Sequence, residues 1–209
     1  MNINLDGMSS SAIYHLMTQT IIPRPIAWVL SENDRDTAPT SDDYNLAPFS
    51  YFNAVCSDPP LCMLSVGKNA GGASKDTAVN LTQGKYCVIN IPNAEQAALV
   101  TASAATVDYG NSEIDINDIA LKEQNDWPLP FVANCGAAFL CRVHSTQTLG
   151  NAPQQLIFVE IVDIYIDDAA VSEVKGRLHV DAKVLNPLAR LGANQYANLG
   201  DVFTLARPK

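Results

Sequence analysis

The chain of 209 residues is long enough to bury one well-packed core and short for two domains. Its net charge of −9, from 13 basic and 22 acidic residues with no Lys/Arg cluster, makes nucleic acid and an anionic membrane poor candidates for partners. Charged residues make up only 17% of the chain, which predicts that a subunit interface covers part of the surface.

The first half of the chain predicts two short helices and four strands. The polar stretch 33–44 reads as an exposed loop, and Asp58-Pro59-Pro60 reads as a turn because paired prolines remove donors from a strand ladder. After the strands at 48–56 and 61–66, a Gly71-Gly72 loop leads into a second helix. The predicted helices cover 14–20 and 76–83, with Gly84 ending the second, and the strands cover 24–31, 48–56, 61–66 and 86–91.

The second half predicts one helix and two long strands whose apolar and polar residues alternate in parts, as in a half-buried sheet. Because the strands come in runs rather than in β-α-β alternation, we expect a mainly β fold, an antiparallel barrel with appended helices. The predicted elements are a helix over 94–105 capped by Asn93, an irregular stretch over 107–130, strands over 137–148 and 156–167, and a loop with a short helix over 185–207.

The five cysteines contain no C-x-x-C pair and lie in apolar, strand-like segments. Two pairs, Cys56/Cys62 and Cys135/Cys141, are each six residues apart, a spacing that predicts one strand face and core packing. With no secretory signal pattern and an apolar run at 21–30 too short for a membrane span, we expect a reduced cytoplasmic protein in which Cys87 and the others are buried thiols.

A glycine-rich segment, 67–77, contains the ingredients of an anion site. It is not a nucleoside-triphosphate loop, because Ala73-Ser74 follows the second glycine where Lys and Ser/Thr would be required. Its glycines permit close backbone approach, Lys75 is a cation, and Thr77 with the amides of a helix start can bind an anion. The alternative is that Ser74 or Asp76 simply caps a surface helix.

The segment 45–53 predicts a turn that runs into an aromatic strand. It either packs in the core or presents the backbone groups of 45–48 to the polar edge of a heterocycle, with the Ser50 hydroxyl and two phenylalanines nearby. Upstream, Arg24 lies between two prolines that fix an extended backbone. That arginine is either a solvent-facing charge or a donor to an electron-rich ring or a phosphate.

Metal and nucleophile patterns are weak. His15, His144 and His179 are far apart in sequence, without the paired spacing that zinc ligands show. The sequence lacks a G-x-S-x-G nucleophile turn, and no local feature favours a catalytic Cys–His pair. We therefore predict neither a metal site nor a catalytic side chain.

Read in order, these segments resemble the flavin reductase-like, FMN-binding split-barrel family. The resemblance covers most of the chain, and its pieces are specific in combination rather than singly. They are Pro23-Arg24-Pro25-Ile26-Ala27-Trp28-Val29, 45–53, Asp58-Pro59-Pro60, Lys75-Asp76-Thr77-x-x-Asn80, Pro187-Leu188-Ala189-Arg190-Leu191-Gly192, Tyr196, Leu199-Gly200, Phe203 and Arg207-Pro208.

The resemblance implies one domain over 1–209 with a Greek-key split barrel, assembled as a homodimer with FMN near the subunit interface. The tail, about 185–209, would pack at the active site or at the dimer interface. Asn45, Leu46, Ala47, Pro48 and Ser50 would line the isoalloxazine, Ser65, Val66 and Gly67 the ribityl chain, and Lys75, Asp76 and Thr77 the phosphate, while Arg24, Arg190 and Tyr196 would approach the cofactor.

The implied activity is that of an FMN-dependent oxidoreductase, a flavin reductase or a flavoredoxin-like electron carrier. NAD(P)H is one implied electron donor, and a monooxygenase or another redox protein is one implied partner. Short NAD(P)H:flavin reductases carry Gly-Asp-His where this chain has Val159-Glu160-Ile161, and the tail with Tyr196 resembles the flavoredoxin-like branch. Two alternatives stay open: an FMN-binding relay without its own NAD(P)H reaction, and a β-barrel scaffold that binds no flavin.

Overall fold

The dominant element of the computed structural model is an antiparallel sheet of seven strands, and the described residues are 1–33, 43–69, 71–108, 111–206 and 208. The strands are β1 (Arg24–Pro25), β2 (Ala27–Glu32), β3 (Tyr44–Phe49), β4 (Phe52–Ser57), β5 (Pro60–Val66), β6 (Tyr86–Ile91), β7 (Leu121–Lys122), β8 (Phe131–Val132), β9 (Ala137–Leu149), β10 (Gln154–Ile166), β11 (Val171–Val174), β12 (Arg177–Val180), β13 (Ala189–Arg190) and β14 (Tyr196–Ala197). The α-helices are α1 (Ser10–Thr20), α2 (Asp76–Asn80), α3 (Ala97–Ala102), α4 (Glu113–Ile116) and α5 (Ala182–Leu185), and 3₁₀ turns cover Ala94–Gln96 and Asp168–Ala170.

The strand order of the large sheet is β3-β2-β6-β9-β10-β5-β4, so two strands consecutive in sequence, β3 and β4, form its opposite edges. The chain passes between these edges at a bend over Ser50 and Tyr51. There the Ser65 N–H donates to the Tyr51 carbonyl at 2.9 Å, which extends the β4–β5 pairing to the bend. Phe49 of β3 packs in one apolar cluster with Leu64 and Val66 of β5, so the sheet closes on itself. The mainly β, split-barrel expectation is confirmed.

Two apolar clusters lie on opposite faces of the sheet, because successive side chains of a strand alternate between its faces. Trp28 and Leu30 of β2 belong to the cluster that α3 and α4 cover, and Ala27 and Val29 belong to the other. Strand β2 is therefore buried on both faces, which explains its nearly continuous apolar sequence.

Several predicted elements are shorter or divided. The helix predicted over 76–83 ends at Asn80, because the backbone leaves the helical conformation at Leu81, whose side chain is fully buried. The strand predicted over 48–56 is two strands separated by the bend. The helix predicted over 94–105 is a 3₁₀ turn and a short α-helix, although its predicted cap is confirmed: the Asn93 side chain accepts from Glu95 N at 3.0 Å.

The irregular stretch and the C-terminal region also differ from expectation. The predicted irregular stretch over 107–130 contains α4. The short helix predicted within 185–207 is wrong, since only α5, ending at Leu185, and two-residue strands occur among the described residues there. The loop prediction over 33–44 is wrong at its ends, where Asn33 is buried and Tyr44 lies in β3, and its residues 34–42 fall outside the described ranges.

The cysteine prediction is confirmed at four positions and wrong at one. All five cysteines are free thiols, but Cys56 is exposed because β4 is an edge strand with little covering it. The predicted same-face pairs are also wrong, since Cys56 and Cys62 lie on adjacent strands across a turn and Cys135 precedes β9. Cys87 instead lies directly opposite Cys141.

In the described part of the chain, the helices are all too short or too polar to cross a bilayer.

Candidate functional site

Most of the predicted site residues lie around the bend between β3 and β4, where they line three separate cavities. The largest, here called the apolar cleft, has a volume of about 560 Å³. Three predicted residues, Arg24, Ser50 and Ser65, line it together with side chains that are mostly apolar. These are Met17, Ile21, Pro23, Pro25, Tyr51, Phe52, Asn53, Met63 and Leu156.

A smaller cavity, here called the polar cavity, brings together the predicted ring-edge and phosphate residues. Its volume is about 100 Å³. Residues of β3 form one wall and residues at the start of α2 form the other, and these two segments are about thirty residues apart in sequence. The predicted residues lining it are Asn45, Ala47, Pro48, Lys75, Asp76 and Thr77, and the others are Asn69, Ser103, Ala104, Ala105, Thr106, Val107 and Glu113.

The third cavity, about 250 Å³, takes the two predicted ribityl residues Val66 and Gly67. A Cβ at Gly67 would lie 2.9 Å from the Gln154 Oε1 atom, so a side chain there would require the end of the Gln154 side chain to move. Lys68 and Ser74, which form a backbone bridge with each other, contribute a cation and a hydroxyl to this cavity. It therefore offers a second place where an anion could bind.

Arg24 is buried, and its guanidinium is committed to groups of this chain. Its side chain is 6% exposed, so the solvent-facing alternative is wrong. It donates to the carbonyls of Thr18, Ile21 (2.8 Å) and Leu191 (2.7 Å), and its Nε–H donates to Ser50 Oγ at 3.3 Å. Arg24 thus joins α1, the tail and the bend, and builds a wall of the apolar cleft. Its role as a direct donor to a cofactor stays a prediction.

Thr77 and Asn80 of the Lys-Asp-Thr-x-x-Asn motif fasten α2 to the sheet. Asn45 Nδ2 donates to Thr77 Oγ1 at 3.0 Å, and both residues are buried. Asn80 Nδ2 donates to Ser31 Oγ at 3.1 Å. Lys75 remains exposed, with its Nζ atom 5.6 Å from the centroid of the Phe49 ring. The cation therefore lies at the mouth of the polar cavity, next to the bend.

Glu113 is a site residue that sequence reasoning missed. Its side chain is 5% exposed, and Oε2 accepts the Leu46 N–H at 3.1 Å. Burial raises the pKa of this carboxyl above its ordinary value of 4.5, the Leu46 hydrogen bond opposes that rise, and the charge of Asp76 adds to it. No motif marks Glu113, because its partner is 67 residues away in sequence.

The Leu46 contact also fixes which backbone groups of β3 are free. Since the Leu46 N–H points away from β2, the neighbouring amides of Asn45 and Ala47 point toward β2. Pro48 has no N–H, so it adds no unpaired donor to this open edge. The predicted backbone contribution of 45–48 to a heterocycle is therefore limited to carbonyl groups, and Ser50 supplies the first side-chain hydroxyl at the cleft.

Arg190 and Tyr196 contact each other rather than the cavities. The Arg190 guanidinium lies 4.6 Å from the centroid of the Tyr196 ring, and Tyr196 Oη accepts from Thr101 Oγ1 at 3.0 Å. Strand β13 pairs with β1, with Arg190 opposite Arg24. Leu46, Arg190 and Tyr196 do not line any of the three cavities as far as the described residues show. Their approach to a cofactor stays a prediction.

Comparison with known proteins identifies the family of the chain. The family described as "Flavin reductase like domain" matches residues 17–185. Nitrilotriacetate monooxygenase component B from Bacillus cereus is 30% identical with a TM-score of 0.85, covering 98% of both chains. The 2-nitrobenzoate 2-nitroreductase NbaA of Pseudomonas fluorescens is 26% identical with a TM-score of 0.84, covering 100% of this chain and 96% of its own.

A third solved structure bears on the fold alone. It is described as a putative flavin reductase with a split barrel domain, from Shewanella frigidimarina NCIMB 400. It is 20% identical to this chain, covers 100% of both chains and has a TM-score of 0.81. The strand order and the closing bend described above are thus those of a split barrel.

Proposed function

The chain belongs to the flavin reductase-like family, and we propose that within it this protein binds FMN and works as an oxidoreductase of the flavin reductase type. Family membership makes it part of a flavin-related group of redox proteins. The choice of FMN, the electron donor and the acceptor are the steps we propose beyond that. The observation that supports them most is the apolar cleft, which opens at the bend beside two cavities that contain lysines.

The residues present fit the rings of FMN in the apolar cleft. Ligand sites usually have volumes of about 300–1,000 Å³ and mostly apolar linings with a few polar groups. The cleft, at about 560 Å³, meets both conditions, with Pro23, Pro25 and Phe52 as flat or rigid wall residues. By contrast, the polar cavity of about 100 Å³ has room only for a small polar group.

Two lysines are candidates for the residue that binds the phosphate. Lys75 lines the polar cavity, as the sequence predicts, but shares it with the carboxyl groups of Asp76 and Glu113. Lys68 lines the third cavity, where Ser74 and Gln155 are neutral hydrogen-bonding neighbours. We keep Lys75 as the proposed phosphate partner, because Thr77 and the start of α2 adjoin it, and treat Lys68 as the alternative.

Bound FMN would supply the two-electron redox chemistry. The protein's part is to bind, orient and limit water at the cleft. Ser50 Oγ accepts from Arg24, so its own hydroxyl hydrogen remains available to donate to a ligand atom in the cleft. No side chain of the cleft needs to act as an acid or base for hydride transfer.

Two relatives support different electron acceptors, and we keep NAD(P)H as the proposed donor. The likeness to a monooxygenase component supports a reductase that serves a partner enzyme. The likeness to a nitroreductase supports direct reduction of a small molecule. An FMN-binding relay without its own NAD(P)H reaction is the competing function. It is favoured by Val159-Glu160-Ile161, which stands where short reductases have Gly-Asp-His.

We further propose that a second copy of the chain covers the exposed apolar surface and completes the site, so that the single domain acts as a homodimer. Val55 of edge strand β4 is 51% exposed, Leu178 of β12 is 75% exposed, and Phe203 and Leu205 of the tail are each 79% exposed. Large exposed apolar side chains of this kind are candidates for burial in a protein–protein interface. Five free thiols fit the proposed cytoplasmic location.

The decisive experiment is a flavin titration of the purified protein followed by a turnover assay. We expect quenching of FMN fluorescence with saturation, weaker binding of FAD, oxidation of NADH or NADPH when FMN is present, and the mass of a dimer by light scattering. Saturable FMN binding without nicotinamide oxidation would favour the relay, and no binding of either flavin would refute the proposal.

Lysine variants then locate the phosphate. Lys75→Ala should weaken FMN binding by more than about tenfold, equivalent to 1.4 kcal/mol, whereas Lys68→Ala should leave it unchanged. The reverse result would move the phosphate to the third cavity. Riboflavin, which lacks the phosphate, is the matched ligand control, because neither variant should change its affinity.

A further inference from the structure

We infer that Glu113 is a positioning residue for flavin binding, one that holds the open edge of β3 where that strand leads into the bend. The inference rests on the proposed function, since it concerns how the same site is kept in shape. Glu113 is not in any motif that the sequence displays. Three observations carry it: the burial of its carboxyl group, its backbone partner, and its place in the wall of the polar cavity.

The partner is a backbone amide of an edge strand. Strand β3 is paired only with β2, so the amides on its other side lack a strand partner. Glu113 Oε2 accepts the Leu46 N–H at 3.1 Å and thereby takes the place of a neighbouring strand. A buried amide without an acceptor would cost stability, so the position of β3 and that of α4 are coupled.

The coupled strand is the one that carries the predicted ring-edge residues. Leu46 is followed directly by Ala47 and Pro48, which line the polar cavity with Glu113 itself. Two residues further on, Ser50 lines the apolar cleft. A displacement of β3 at Leu46 would therefore disturb residues that line both the polar cavity and the apolar cleft.

The surroundings argue against a merely solvated acid. Asp76 and Lys75 are the other charged residues that line the polar cavity, and each comes from the start of α2 rather than from α4. Among the described residues no ion pair to Glu113 is found, and burying a carboxyl group without one is costly. A group retained there for its hydrogen bond should be replaceable by a neutral acceptor of the same shape, which makes the inference testable.

The experiment compares Glu113→Ala with Glu113→Gln, using FMN affinity, the visible spectrum of bound FMN and hydrogen exchange at the Leu46 amide. Glu113→Ala should raise the FMN Kd about tenfold, shift the bound-flavin absorption bands and speed exchange at Leu46. Glu113→Gln should restore all three to near wild type, because the amide oxygen can still accept from Leu46. Glu95→Ala, which removes an exposed carboxylate from the Ala94–Gln96 turn, is the matched control.

Each outcome decides the inference. If Glu113→Ala binds FMN with wild-type affinity and spectrum, the inference is overturned, even if the variant is less stable. Should Glu113→Ala not fold, Glu113→Asp replaces it, since a carboxylate one methylene shorter withdraws from Leu46. Wild-type affinity and spectrum in Glu113→Asp would overturn the inference equally. A wild-type protein that binds no FMN would instead refute the proposed function, and this inference with it.

Discussion

The burial of Arg24 leads to a quantitative prediction about stability without any ligand. Arg24→Ala removes the donors that serve the carbonyls of Thr18, Ile21 and Leu191 and the hydroxyl of Ser50. Hydrogen bonds to charged groups contribute about 1.5–3 kcal/mol each, and water can replace those near the surface, so we expect a loss of roughly 3–4 kcal/mol. For a chain of this size that corresponds to a fall in Tm of roughly 6–16 °C.

The assay is urea denaturation of the flavin-free protein, followed by circular dichroism, with calorimetry for Tm. Arg142→Ala is the matched control, because its side chain is 50% exposed and pairs only with Glu160 at 3.3 Å. An exposed pair of this kind contributes about 0–1 kcal/mol. If Arg24→Ala and Arg142→Ala differ by less than about 1 kcal/mol in unfolding free energy, the view of Arg24 as a buried anchor is refuted.

Three more measurements test other contacts. Gly192→Ala places a Cβ 2.3 Å from a side-chain carbon of α1 and should cost about 1–3 kcal/mol, whereas Gly200→Ala meets nothing and should be neutral in the same denaturation assay. Ser103→Ala should lose about 1–3 kcal/mol of unfolding free energy, because the Trp28 Nε1–H, which donates to Ser103 Oγ at 2.8 Å, would be left without an acceptor. An unchanged denaturation midpoint would contradict this. The Glu113 carboxyl has a higher pKa in the native state than in the unfolded chain, so the native state keeps its proton to higher pH. Wild type should therefore lose unfolding free energy relative to Glu113→Gln as pH rises above 4.5 through the raised pKa. Denaturation curves at several pH values test this, and a difference in unfolding free energy that does not change with pH would contradict it.

Elements with strong local signals could be predicted from the sequence. The strand predicted over 86–91 has those bounds in the structure, because an apolar run with a turn signal before it needs no distant partner to be recognised. The Asn93 cap is likewise local, formed with residues two and three positions away. The signature of the family could be read for the same reason, as short segments in a fixed order.

The parts that could not be predicted depend on contacts between distant residues. Nothing in the segment 48–56 indicates that its two halves lie at opposite sheet edges. The contact from Glu113 to Leu46 spans 67 residues, and that from Arg24 to Leu191 spans 167. A carboxyl or guanidinium group reads as a surface charge until the backbone groups it serves are known, so both roles emerge only from the fold.

The passage of the chain from one sheet edge to the other at Ser50 and Tyr51 has a thermodynamic consequence. The two edges of the sheet meet at this short hinge, where Phe49 of β3 packs in one apolar cluster with Leu64 and Val66 of β5. A molecule that binds across this junction and has no affinity for the opened chain stabilises the closed barrel, because its binding free energy adds to the free energy of opening. Saturation with such a molecule should therefore slow proteolysis within the edge strands more than anywhere else in the protein.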